Sequence, residues 1–163
     1  MRAFLPIALA ALAASPLSAQ HSDHPAAHAE PAQNSEDAAV RAVLAQYTDA
    51  IERLDATGTE RLFTTDSAIF ETGGAEGTYA NYLAHHLEPE LKEFRSFRFS
   101  NYQVDVRFEG PVALATETYN YRIETNAGEV AERRGVATSV LRKENGAWKI
   151  VMMHNSARRP SGS

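Results

Sequence analysis

The chain has 163 residues, room for one domain once its ends are set aside. With 16 Lys and Arg against 21 Asp and Glu it is mildly acidic, a poor match to nucleic acid, whose binding rests on clustered basic side chains. It has no cysteine, which excludes disulfides, thiolate metal sites and a cysteine nucleophile, while 44% hydrophobic residues suffice for a packed core.

The start predicts export. Arg2 forms a minimal positive region, Ala3 to Ala14 is an apolar run broken by Pro6, and the small residues Ser15 to Ala19 resemble a cleavage region. About a dozen apolar residues are too few to span a bilayer core of about 30 Å. Residues 1–19 therefore read as a signal peptide cut after Ala19, leaving a periplasmic or secreted protein with 15 basic and 21 acidic residues and no membrane segment.

Residues 20–34 hold two prolines, four alanines and no large apolar side chain, the composition of a flexible leader. His21, Asp23, His24 and His28 make a loose ligand set for a divalent metal there. Ser35 reads as an N-cap with Glu36 and Asp37 in the first helical turn. Val40, Val43, Leu44, Tyr47, Ile51 and Leu54 then give an amphipathic stripe, closed at Gly58. A short second helix is predicted over 59–63 and a strand over 68–71. The glycine-rich turn 72–77 lacks the Lys-Ser/Thr of a phosphate loop. Residues 79–86 are helix-like, with Tyr79, Tyr82, Leu83 and His86 on one face and Pro89 as an interruption.

From Phe97 the periodicity changes to strands over 97–108, 112–124, 129–143 and 148–158, joined by turns with hairpin chemistry at 109–111, 126–128 and 144–146. Helices followed by a strand meander predict an α+β fold with helices on one face of an antiparallel sheet.

The closing segment Gly146-Ala147-Trp148-Lys149-Ile150-Val151-Met152-Met153-His154-Asn155-Ser156 resembles the NTF2-like superfamily, in particular its SnoaL-like and DUF4440 branches. The same holds for Thr65 to Glu71, and for Gly77-Thr78-Tyr79 with Tyr82, His85-His86-Leu87 and Pro89-Glu90-Leu91. The resemblance spans residues 35–159, with 160–163 as a tail. It implies a curved sheet forming a cone around N-terminal helices, an interior pocket, and dimerisation through the sheet. It leaves the reaction open, because the superfamily includes isomerases, dehydratases, cyclases and pure binding proteins.

Candidate site residues follow from the pattern. Ile150, Met152, His154 and Ser156 share a strand face by alternation, placing His154 as an acid/base group if that face is concave. In steroid-isomerase relatives the general base sits where Glu71 stands here, while their oxyanion-binding Asp falls near Thr138, which cannot act as a protonated acid; Tyr47 or Tyr119 can donate a hydrogen bond instead. His85 and His86 diverge by about 100° on a helix, and His86 is the inward choice. Glu117, Tyr119 and Tyr121 alternate onto one face, suited to a cavity lining or equally to an aromatic dimer surface.

Together these predict a homodimeric protein binding a small, largely apolar ligand through Tyr47, Phe70, Tyr82, His86, Glu117, Tyr119, Thr138 and Met152, either as a non-catalytic binding protein or with lyase- or isomerase-type chemistry at Glu71 or His154. No cofactor is expected. The alternatives are a non-catalytic periplasmic metal-handling protein, suggested by the leader histidines, and a protein-interaction module; a separate interior site for a divalent metal would draw on His154, on His86 or His85, and on Glu71 or Glu117.

Overall fold

A computed structural model describes residues 29–160. Its first helix, α1 (Ala29–Glu52), begins earlier than the expected cap at Ser35, so residues 29–34 of the supposed flexible leader are helical. Pro31 falls in the first turn, where its missing N–H would have no partner in any case, and nothing at Ser35 obliges the helix to start there. The leader histidines and the signal segment lie outside the described residues.

A 3-10 turn at Thr59–Leu62 feeds β1 (Phe63–Glu71), which hairpins into the short β2 (Gly74–Gly77). Then α2 (Tyr79–Tyr82) is capped by Thr78, whose side-chain oxygen accepts from the Asn81 amide. It runs through a π-helical turn (Leu83–Leu87) into α3 (Glu88–Glu93). Pro89 therefore opens a helix, where its fixed φ is favourable, and the chain passes it without interruption. Four long strands follow: β3 (Phe94–Glu109), β4 (Val112–Thr125), β5 (Val130–Glu144) and β6 (Ala147–Arg158).

The six strands form one curved, unclosed sheet in the order β2-β1-β6-β5-β4-β3. The three hairpins joining β3 to β6 fix antiparallel neighbours, as the turn chemistry predicts. The expectation of a wholly antiparallel sheet is corrected at β1, which lies parallel to β6. No hairpin links those two strands, so the direction of β1 is set by packing.

The core lies between the inner sheet face and the helices. Val40, Leu44, Tyr47 and Ile51 of α1 meet Ile69, Leu141 and Ile150, while Tyr79, Leu83 and Leu87 close the other side. Tyr79 stacks on Phe63 with ring centroids 3.6 Å apart, and burial pushes its hydroxyl up to about 12 despite the bond to Thr59. Helix α1 also lies along the outer edge of β3: Arg41 donates to the Val104 carbonyl at 2.7 Å, and the Phe99 amide donates to Glu52 Oε1 at 2.7 Å.

Two irregularities in the ladders decide what faces the core. In β6, Leu141 pairs with Ile150 but Val140 with Met152, so Val151 is an extra residue. In β3, Ser100 pairs with Asn120 and Gln103 with Thr118, leaving Asn101 and Tyr102 opposite Tyr119. Asn101 takes φ 52°, a conformation asparagine tolerates better than most residues.

Candidate active site in the cone

The sheet and helices enclose a cavity of about 140 Å³. Tyr47 and Ile51 contribute from α1, Tyr82, Leu87 and Leu91 from the helical layer, and Phe97 and Phe99 from β3. Strand β4 presents Glu117, Tyr119 and Tyr121 at every second position along the cavity wall. Met153 and Asn155 line it from β6.

Two carboxylates stand at different depths, each held by a tyrosine. Glu117 is 3% exposed and accepts a hydrogen bond at Oε1 from the Tyr102 hydroxyl. Its Oε2 has no hydrogen-bond partner among the described residues. Burial pushes the Glu117 carboxyl above its usual range, with the Tyr102 bond opposing. Nearer the mouth, Glu71 at the end of β1 accepts a 2.6 Å bond at Oε2 from Tyr82. Desolvation raises the hydroxyls of Tyr47, Tyr82, Tyr102 and Tyr119, so all four remain neutral donors through physiological pH.

His86 sits at the rim, half-buried, its ring stacked on Tyr82 with centroids 5.1 Å apart. Three carboxylates converge on it: Nε2 lies 3.7 Å from Glu71 and 3.4 Å from Glu90, and Nδ1 lies 3.5 Å from Glu76. His85 is exposed.

His154 is placed elsewhere. The extra residue at Val151 reverses the alternation of β6, so Ile150 and Met153 are buried while Met152 (37% exposed) and His154 turn to the outer face. The shared face expected for Ile150, Met152 and His154 is thus corrected, and Asn155 occupies the inward position. Thr138 pairs with His154 across the ladder and is likewise exposed. Phe70 packs edge-on to His154, with centroids 6.3 Å apart, outside the cavity. Four expected site residues (Phe70, Thr138, Met152 and His154) therefore belong to the outer sheet face.

The same placement separates His154 from His86 and Glu117, so the expected interior metal set is not assembled. Among the described residues no group of three or more His, Asp or Glu side chains is disposed to hold a metal ion. Nor is any described helix long and apolar enough to cross a membrane.

Sequence reasoning missed Tyr102 and Asn155. Tyr102 reaches Glu117 because of the irregularity at Asn101, and its one sequence signal is the Ser100-Asn101 pair interrupting an alternating strand. Asn155 was legible only with the extra residue in view.

Residues 40–160 match the family model of the SnoaL-like domain. No curated protein matches the chain. Among solved structures, an NTF2-like superfamily protein from Salmonella enterica serovar Typhimurium is similar with a TM-score of 0.68 and 17% identity, over 81% of this chain and 96% of that one. A ketosteroid isomerase-like protein from Erwinia carotovora atroseptica gives 0.68 and 21%, over 78% and 99%. A type 2 hexachlorocyclohexane dehydrochlorinase (LinA) gives 0.68 at 10% identity, over 82% and 95%. At these identities the likeness is one of fold.

Proposed function

Because the chain belongs to the SnoaL-like domain family, we propose that its cone binds a small, largely apolar molecule and offers it acid–base chemistry of the isomerase or lyase kind. One observation carries this reading: an aromatic cavity flanked by two carboxylates, each bonded to a neutral tyrosine. Glu71 is the acid–base group. It stands at the cavity mouth, where solvent can receive or return a proton, and the Tyr82 bond fixes its orientation. Glu117 lies deeper and holds the polar end of the ligand. Tyr47 and Tyr119, with no hydrogen bond of their own among the described residues, are the free donors for an oxygen that gains charge. His154, on the outer face, has no part in this chemistry.

The solved structures named as a ketosteroid isomerase-like protein and a dehydrochlorinase share the fold, and proton abstraction from carbon is the step this pocket is equipped to perform. The test is exchange of the α-hydrogens of small cyclic ketones with deuterated water. The wild type should catalyse it and Glu71→Gln should not. Equal rates in both would remove Glu71 from the chemistry.

Two further expectations belong to the same reading. The apolar run and small-residue segment in residues 1–19 support export to the periplasm or beyond. Val136 (41% exposed) and Met152 (37% exposed) on the outer sheet face support homodimerisation there, which equilibrium sedimentation would test.

A further inference from the structure

We propose that the ligand of this cavity is an organic cation: an amine or quaternary ammonium with an apolar body, its nitrogen held at Glu117 among the rings of Tyr47, Tyr119 and Tyr121. This rests on the interior-binding reading and names the chemical class of the molecule bound.

The charge of the lining is the first argument. Among the described residues, three glutamates, four tyrosines and three phenylalanines line the cavity, with no lysine, arginine or histidine. A pocket for an anionic molecule would need a cation or an array of backbone amides. This one supplies carboxylate oxygens and a lining of aromatic rings, both of which attract a positive nitrogen.

The second is the open oxygen at depth. Tyr102 occupies Glu117 Oε1, while no protein hydrogen bond reaches Oε2, in a residue 3% exposed that lines the cavity. A buried carboxylate is normally paired, because its burial otherwise costs the full desolvation of the charge. Here the protein supplies one neutral donor and no counter-charge. A ligand N–H or N-methyl group fits the open oxygen and completes the pair.

The third is the path inward. Glu71 and Glu90 line the entrance, with Glu76 close behind around His86. Carboxylates at the mouth of a low-dielectric cleft raise the local concentration of cations and repel anions.

The experiment compares benzyltrimethylammonium with neopentylbenzene, its neutral carbon isostere, by NMR titration of the full mature chain at neutral pH. The two differ only in the charge at one atom, so shape cannot separate them. The cation should bind about tenfold or more tightly than the isostere. Glu117→Gln should erase that preference while leaving the isostere's affinity in place. Should that variant fail to fold by circular dichroism, Glu71→Gln, at the more exposed mouth, should reduce the preference by a smaller factor. Equal or tighter binding of neopentylbenzene by the wild type overturns the cation proposal and leaves the apolar-pocket reading standing. Saturation by neither compound overturns both.

Discussion

The hydroxyl of Tyr82 donates a 2.6 Å hydrogen bond to Oε2 of Glu71, joining the short helix after β2 to the end of β1. Two elements separated in the chain only by the short β2 are thereby tied together at the cavity mouth, and the carboxylate is aimed by a group that cannot ionise in the physiological range. Removing the bond with Tyr82→Phe should cost about 1 kcal/mol, as expected for one partly screened bond to a carboxylate. Urea unfolding measures the loss; the ketone exchange rate, tracked in parallel, should fall further than the stability does.

His154→Ala should leave both stability, to within about 0.5 kcal/mol, and cavity binding unchanged, because the side chain stands on the exposed sheet face. A lost ligand signal in this variant would mean that β6 does not carry its extra residue at Val151.

Gly135 lies directly beneath the ring of Tyr119, and a Cβ placed there would overlap the ring atoms. Gly135→Ala should therefore cost about 1–3 kcal/mol and displace Tyr119 from the cavity wall. Denaturant unfolding and the affinity for an apolar probe should worsen together.

Glu117 and Glu36 should give opposite pH dependences. Burial raises the Glu117 carboxyl above 4.5, so the folded state binds its proton more tightly than the unfolded state. Its contribution is fully present below that value and is lost as pH rises through the folded one. The stability of Glu117→Gln relative to wild type should accordingly climb with pH over that window, as read by urea midpoints.

Glu36 behaves in reverse. Lys143 and Trp148 both donate to it, the indole at 2.6 Å, and hold its carboxyl below 4.5. Its contribution is present above 4.5 and is lost as pH falls through the folded value. Trp148 is the sole tryptophan, so its emission should change in an acid titration below 4.5, and Glu36→Gln should abolish that step.

The fold was readable because its signals are periodic. The apolar stripe from Val40 to Ile51, the change to alternation near Phe97, and three glycine-bearing turns each specify an element, and their order specifies the layers. The shared face of Glu117, Tyr119 and Tyr121 on β4 was plain from their uninterrupted alternation, but alternation alone did not say whether that face lined a cavity or a dimer surface. What failed was the reading of β6. One added residue there moves every later side chain to the opposite face, and neither Val151 nor its neighbours carry a glycine or asparagine to mark it. The direction of β1 was hidden for a related reason: pairing between distant strands is decided by packing, with no turn chemistry to report it. Tyr102 joined the site through the local kink at Asn101, beyond the reach of simple alternation.

The bonds from α1 to β3 bear on how the protein behaves at high concentration. An outermost strand of 16 residues offers a template on which a stranger's backbone can grow. Here Arg41 already occupies the Val104 carbonyl and Glu52 the Phe99 amide, so an incoming chain would have to displace charged side chains to make those bonds. The kink at Asn101 falls between these two plugged positions and spoils the flat run that fibril growth requires. The helix that roofs the pocket thus also guards the sheet's longest free border against polymerisation.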